Sequence, residues 1–260
     1  MKSCKLLSIA TALCMTAASS SAAVVVTQFA SWSDGNLGGA LSPTVAFDIV
    51  NSNSILIATI YVDTLPPTLT DVRFGNGGGI GSGDVAPNLT IADGRLLSYV
   101  FINPSTASGL SFRATNSSGT VGAAAALYEV SGANTDTATF TTVSSPTSGA
   151  TTITTTTAGE LIVSFAGRNG GNQTLGTPTI FTATDIAIVA STVRGTGGLS
   201  SASATAPTIG SQNITWTANG GSPASAGRIA YAFKAAPAVP EPSSALLGGL
   251  GLLVLLRRHR

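Results

Sequence analysis

Charge, cysteine and histidine are all scarce in this sequence, and each scarcity excludes a class of function. Charged residues make up 9% of the 260 residues, against roughly 25% in an ordinary soluble domain. The net charge of +1 comes from scattered single residues and not from a basic stripe, so we expect no nucleic-acid binding. The sequence is instead rich in Ser, Thr, Asn and Gly. This composition indicates an exported β-rich domain with an uncharged polar surface.

Cysteine and histidine occur only near the two ends of the chain. Both cysteines, Cys4 and Cys14, precede Ala23, and the single histidine, His259, lies among the terminal arginines. A mature domain without these ends has no thiol and no imidazole. This excludes disulfides, cysteine or histidine metal ligands, and Ser-His-Asp or Cys-His catalytic arrangements. We therefore expect no enzymatic activity, no metal and no cofactor.

The N-terminus, residues 1–23, has the pattern of a secretory signal peptide. Lys2 and Lys5 precede an apolar run from Leu6 to Ala18, and small residues follow as far as Ala23. This is the pattern that signal peptidase recognises, and we predict cleavage after Ala23. A first transmembrane helix is the alternative, but the apolar run is shorter than the ~18 residues that a spanning helix needs.

Residues 237–260 form a C-terminal segment of three parts. They are a proline-rich motif, an apolar stretch and a basic end: Val239-Pro240-Glu241-Pro242, residues 243–256, and Arg257, Arg258 and Arg260. The apolar stretch predicts a short transmembrane helix of about 21 Å, less than the ~30 Å hydrocarbon core, with the arginines on the cytoplasmic side. It therefore suits a temporary stop in the membrane. A plain tail anchor is the alternative, and it leaves the Pro-Glu-Pro unexplained.

These three elements, in this order at the chain end, resemble the PEP-CTERM sorting signal of Gram-negative, biofilm-forming bacteria. The resemblance implies that exosortase, a membrane enzyme, recognises and cleaves the chain at the motif. It also implies export, anchoring in the inner membrane before processing, and a final location at the cell surface or outside the cell. We expect an extracellular-matrix protein that associates with exopolysaccharide or biofilm.

Residues 24–236 show the period-two alternation of β-strands. Ile229, Tyr231 and Phe233 share one face of a strand and alanines the other. The continuous apolar run Ser54–Val62 predicts a strand that is covered on both faces. The predicted strands are 24–30, 45–50, 54–62, 69–74, 96–102, 123–130, 137–143, 160–166, 186–193, 213–217 and 228–234, and the Thr-rich patch 151–157 is an edge strand or a loop.

Short strands separated by Gly, Pro, Asn and Ser turns predict an all-β fold, a two-sheet antiparallel sandwich of jelly-roll type. The strand order is also similar to a secreted sandwich module of bacterial surface proteins, with landmarks at Ile55–Val62, Leu127–Gly132 and Tyr231–Lys234. That resemblance implies only the fold. No exact internal repeat is visible in the sequence.

Few residues of the domain suggest a binding site. Trp32 and Trp216 could stack on sugars and make the domain a carbohydrate-binding module, although burial in a core is the commoner role. Gly75–Asp84 predicts a flexible loop, and calcium at Asp84, with Asp34 as another candidate, is the alternative. A glycosidase, the third hypothesis, would need two carboxylates across a cleft, drawn from Asp48, Asp63, Asp71, Asp84, Asp93, Glu129, Asp136, Glu160 and Asp185.

Overall fold

A computed structural model describes residues 23–37, 44–62, 69–75, 84–104, 106, 108–116, 121–137, 140–144, 150–169, 186–193, 197–216, 227–237 and 257–258. A compact unit spans Ala23–Ala236. The described part of this unit is all-β, as predicted. Its strands are β1 (Val25–Leu37), β2 (Thr44–Ala46), β3 (Ser54–Val62), β4 (Leu69–Gly75), β5 (Leu89–Asp93), β6 (Leu96–Ile102), β7 (Ser111–Asn116), β8 (Val121–Ser131), β9 (Thr141–Ser144), β10 (Ala150–Thr155), β11 (Leu161–Asn169), β12 (Ile186–Val193), β13 (Gly197–Thr205), β14 (Gly210–Thr215) and β15 (Arg228–Phe233).

Two five-stranded antiparallel sheets pack face to face. The first large sheet has the order β1-β8-β3-β6-β5, and the second large sheet has the order β12-β13-β11-β15-β9. Each carries a smaller sheet on its outer face, with β2-β7-β4 on the first and β10-β14 on the second. The predicted pair of sheets therefore forms the middle of a four-layer stack.

Three hydrophobic cores separate the four layers. The inner core lies between the large sheets, and there the rings of Tyr128 and Phe165 meet edge to face at 5.6 Å. The first outer core lies under the three-stranded sheet, and the second lies under the two-stranded sheet. Because both faces of the first large sheet are covered, all residues of Ser54–Val62 are buried, as the apolar run predicts.

The connectivity differs from that of the predicted jelly roll. Strands β1–β8 all belong to the first large sheet or its outer sheet, and β9–β15 all belong to the second large sheet or its outer sheet. The chain thus completes one pair of layers before it begins the next. Period-two alternation reports which residues share a face of a strand, and it does not report which strands are neighbours.

The two halves of the chain repeat one topology. Read from β9, the second large sheet has the order β9-β15-β11-β13-β12, which corresponds strand for strand to β1-β8-β3-β6-β5. The outer ladder β2–β7 corresponds to β10–β14, and β4 has no counterpart among the described residues. Contacts between the two large sheets follow the same correspondence. The strand β1 contacts β12, and β9, the equivalent of β1, contacts β5, the equivalent of β12. The halves are therefore related by an approximate twofold axis.

The strand register extends this repeat to single residues. Tyr128 on β8 and Tyr231 on β15 hold equivalent positions, as do Ser98 on β6 and Ser201 on β13. In each half the tyrosine and the serine lie opposite residues two apart on the central strand: Ile57↔Tyr128 and Thr59↔Ser98 in the first, and Val163↔Tyr231 and Phe165↔Ser201 in the second.

The chain enters and leaves the unit at the same end of its strands. At the terminal end, Val25 pairs with Ser131 and the backbone N–H of Ala236 donates to the carbonyl of Gly132 at 2.8 Å, so both ends of the unit lie there. At the opposite end, called the loop end, Val62 lies opposite Ala123. The strand β8 separates the two ends by about 26 Å, at ~3.3 Å per residue.

Candidate functional site

The predicted targeting segments lie almost wholly outside the described residues. These include residues 1–22, the motif Val239-Pro240-Glu241-Pro242 and the apolar stretch 243–256. Arg257 and Arg258 are described, and they are helical and exposed. No helix within the described ranges is long and apolar enough to cross a membrane.

The predicted signal cleavage position lies at the edge of the folded unit. Ala23 is exposed, whereas Val24, the next residue, is 5% exposed and belongs to the inner core. Cleavage after Ala23 would therefore leave the first core residue in place. The cleavage itself stays a prediction.

The two tryptophans have different surroundings. Trp216 is 2% exposed in the second outer core, and its indole N–H donates to the Ser164 hydroxyl at 3.0 Å. Neither face of this ring is open to a sugar, so the structure corresponds to the core role and not to glycan contact. Trp32 lies on β1 opposite Ala125, and its side chain falls outside the description.

The calcium hypothesis at Asp84 does not fit the surroundings of its carboxylate. The side chain of Asp84 is 2% exposed and forms an ion pair with the buried guanidinium of Arg113. Asp84 also packs against Gly75 so closely that a Cβ there would overlap its carboxylate. Asp34 lies on strand β1 opposite Ala123 and not in a loop. The described residues contain no cluster of three or more His, Cys, Asp or Glu side chains.

Two of the candidate carboxylates, Glu129 and Glu160, are buried and accept hydrogen bonds from nearby residues of the chain. Glu129 is 0% exposed, and its Oε1 accepts from the backbone N–H and the side-chain amide of Asn51 at 3.0 and 3.3 Å. Glu160 is 1% exposed, and its Oε1 accepts from the backbone N–H groups of Thr156 and Thr157, each at 2.8 Å. These carboxylates fix the turns that precede β3 and β11.

Other described candidates make local contacts through a carboxylate or, for Asp136, through the backbone. Asp48 accepts from the Leu110 N–H at 3.0 Å, and Asp71 pairs with Arg73 at 3.2 Å. Asp136 donates its own backbone N–H to Asn134. Two further candidates, Asp63 and Asp185, lie outside the described residues.

The Thr-rich patch forms a strand with one uncharged, exposed face. Ile153 of β10 is buried in the second outer core, whereas Thr152 and Thr154 point to the other side and are exposed. On β14, Asn213 and Ser211 lie opposite these two threonines and are exposed as well. This polar face offers hydroxyl and amide groups without a charge.

Sequence reasoning named Asp93 as a candidate carboxylate but missed the three arginines that lie at the loop end with it. Asp93 ends β5, and its carboxylate accepts from the backbone N–H of Arg228 at 2.9 Å. Arg95 follows in the β5–β6 turn, and its carbonyl accepts from the Val62 N–H at 2.9 Å. Arg168 lies near the end of β11, opposite Gly198 on β13. We call Asp93, Arg95, Arg168 and Arg228 the arginine cluster.

Burial acts on the guanidinium groups of this cluster. It lowers the pKa of Arg228, and the charge of Asp93 partly opposes that shift. It also lowers the pKa of Arg168, with Tyr61 opposing. In each case the cause is desolvation, which disfavours the charged form of the guanidinium. Asp93 and Arg95 are two residues apart, whereas Arg168 and Arg228 are distant from them in sequence and reach the loop end through the sheet register.

Comparison with known proteins identifies the C-terminal segment. Residues 238–260 match the family described as the PEP-CTERM protein-sorting motif. No curated protein sequence and no solved structure is significantly similar to the chain. The match confirms the resemblance of the tail to this sorting signal. The motif implies that the chain is exported, anchored through a C-terminal sorting signal and processed by exosortase.

Proposed function

We propose that the chain is a non-enzymatic protein of the cell surface or extracellular matrix that associates with exopolysaccharide after processing. The sorting motif at residues 238–260 carries this proposal, because it determines the route by which the domain leaves the cell. Signal peptidase removes the N-terminal segment in this account, and the inner membrane holds the chain only until exosortase acts.

The exposed face of the two-stranded outer sheet supports association with polysaccharide. Thr152, Thr154, Ser211 and Asn213 offer uncharged hydrogen-bonding groups that match the hydroxyls of a neutral glycan. Each such bond contributes about 1 kcal/mol net, so we expect a single domain to bind weakly. High overall affinity requires many copies of the domain that bind the same polymer together. The structural contacts of Glu129, Glu160, Asp84 and Asp93 support a non-enzymatic role over a glycosidase.

The sorting half of the proposal is tested by intact-mass analysis of the exported protein, in strains with and without exosortase. We expect the mature mass to lack Arg257–Arg260 only where the enzyme is present. Replacement of Glu241 by Ala within the motif should abolish processing, whereas Pro237→Ala just outside it should not. Retention of Arg257–Arg260 in both strains would refute the sorting route.

The binding half is tested by retention of the exported domain on a panel of neutral polysaccharides. The variant T152A/T154A/N213A should lose retention, and Thr90→Ala, an exposed threonine on β5, should keep it. Loss on Trp32→Ala alone would instead favour a carbohydrate-binding module with a single stacking site. No retention on any glycan would refute the polysaccharide association.

A further inference from the structure

The strand β1 lies at one edge of the first large sheet. It pairs with β8 on one side, and no strand of the described residues pairs with it on the other. It is 13 residues long, whereas β5 and β9, which lie at edges of the two large sheets, have five and four residues. A long edge strand presents a row of backbone N–H and C=O groups to which another strand can add.

The side chains of β1 do not protect this edge. Lysine and proline are common devices against the addition of a strand, and Val25–Leu37 contains neither. Phe29 is 40% exposed, although its ring packs against that of Tyr128 with the centroids 4.9 Å apart. Ser31 is exposed as well. A strand added beside β1 would cover part of Phe29 and so remove apolar surface from water.

The middle of β1, residues 28–34, is a regular stretch between two irregular positions. Each of its residues lies opposite one residue of β8, and the register shifts just before Gln28 and just after Asp34. A shift of this kind disrupts the ladder locally. A second strand would therefore pair with residues 28–34, whose central residue is Ser31.

An antiparallel copy of residues 28–34, centred on Ser31, would be complementary to the original. Asp34 is the one charged residue of β1. Parallel pairing in register would place two copies of Asp34 side by side, which is destabilising. Antiparallel pairing separates them by six positions, about 20 Å at ~3.3 Å per residue. The pairs across the two copies would be Gln28 with Asp34, Phe29 with Ser33, Ala30 with Trp32, and Ser31 with Ser31.

We propose that β1 pairs with β1 of a second copy of this chain, antiparallel and centred on Ser31. The two first large sheets then form one continuous ten-stranded sheet. Such a contact uses the same surface on both copies, so it closes as a dimer and does not extend into a fibre. The dimer would carry two neutral faces and bind a polymer with higher avidity. The inference goes beyond the proposed function, because the pairing needs no glycan.

Disulfide cross-linking tests the register of this pairing. Both natural cysteines precede Ala23, so the exported protein has no thiol once the signal peptide is removed. Ser31→Cys would place two thiols opposite each other, with Cα atoms roughly 4.5–5.5 Å apart, which suits a disulfide. Thr90→Cys is the matched control, exposed on the edge strand β5. We expect Ser31→Cys to form the covalent dimer at least about tenfold faster, because pairing raises the effective thiol concentration.

Analytical ultracentrifugation of the exported protein measures the association itself. We expect a dimer whose fraction rises with concentration. Ser31→Lys should weaken it about fivefold, because it places two like charges opposite each other. Thr90→Lys should leave the dimer intact, and the melting temperatures of both variants check that they fold.

Three results would overturn the proposal. They are equal cross-linking rates in the two cysteine variants, a monomer at every concentration, and a dimer that is equally stable in Ser31→Lys. Failure to bind any glycan while the dimer persists would refute the polysaccharide association and leave the pairing of β1 standing.

Discussion

Tyr128 and Tyr231 occupy equivalent positions in the two halves and join the two large sheets by equivalent hydrogen bonds. The hydroxyl of Tyr128 in the first sheet donates to Ser201 in the second at 2.7 Å, and that of Tyr231 in the second donates to Ser98 in the first at 2.6 Å. The approximate twofold axis exchanges these bonds. A buried phenol needs a partner of this kind, so the two tyrosines help to fix how one half sits on the other.

Removal of either phenolic hydroxyl should cost about the same stability. We expect Tyr128→Phe and Tyr231→Phe each to lower the free energy of unfolding by about 1 kcal/mol, because each loses one buried hydrogen bond and keeps the ring. Urea denaturation of the single and double variants measures this. A cost confined to one of the two sites would show that the twofold relation does not extend to the energetics.

Stability should decline in alkaline solution because buried phenols resist ionisation. Burial raises the pKa of Tyr99, Tyr128 and Tyr231 above the ordinary value, and serine hydrogen bonds partly oppose this for Tyr128 and Tyr231. Above about pH 10 the unfolded chain loses these protons and the folded chain keeps them. The free energy of unfolding should therefore be insensitive to these groups below pH ~10 and fall above it, by up to about 1.4 kcal/mol per pH unit for each tyrosine.

Urea denaturation across the range from about pH 8 to pH 11 measures this dependence. The variant Tyr231→Phe should show a shallower decline than the unaltered protein, since one resistant phenol is gone. An equal slope in both proteins would show that Tyr231 does not contribute.

Glu160 should stabilise the turn before β11 mainly as a hydrogen-bond acceptor. Its Oε1 accepts from both the backbone N–H and the hydroxyl of Thr156 and of Thr157. We expect Glu160→Ala to lower the free energy of unfolding by about 2 kcal/mol, because these donors lose a charged partner. Glu160→Gln keeps an oxygen in place and should cost less than half as much. Equal costs in urea denaturation would show that the charge, and not the acceptor geometry, matters.

Gly227 should tolerate a side chain far less well than Gly159. Both have positive φ, of 96° and 78°, so alanine is strained at either position. A Cβ at Gly227 would lie 1.9 Å from the Asp93 carbonyl oxygen, whereas a Cβ at Gly159 meets nothing within 4 Å. We expect Gly159→Ala to cost about 1 kcal/mol and Gly227→Ala at least about 3 kcal/mol in thermal or urea unfolding. Equal costs would mean that the turn at Gly227 can move away from Asp93.

Strands with large apolar side chains could be predicted from the sequence, and strands of small residues could not. The predicted bounds of β3, β6 and β12 are those observed. The segments Leu89–Asp93, Ser111–Asn116 and Gly197–Thr205 were missed. The last consists mostly of Gly, Ser and Ala, yet much of it is buried. Its small residues fit between two cores, and that fit exists only once the layers above and below it are in place.

The internal repeat is also invisible in the sequence for a physical reason. Equivalent positions lie at the same place in the two sheets but carry different side chains. Ile57 corresponds to Val163, and Ala125 corresponds to Arg228. What is retained is the order of strands and the register between them, and neither leaves a fixed pattern of letters. Tyr128 and Tyr231, with their two serine partners, are one pair that keeps the same chemistry in both halves.

The sequence alone determined the sorting route, the absence of thiol and imidazole chemistry between the two ends, and the β class of the domain. A sorting signal is read as a linear segment, and strand alternation is a local property, so neither requires the fold. The tertiary structure alone decided that Trp216 is a core residue, that Asp84 pairs with Arg113, and that Asp93 accepts from the backbone of Arg228. These follow from register and layering, which join residues that are distant in the chain.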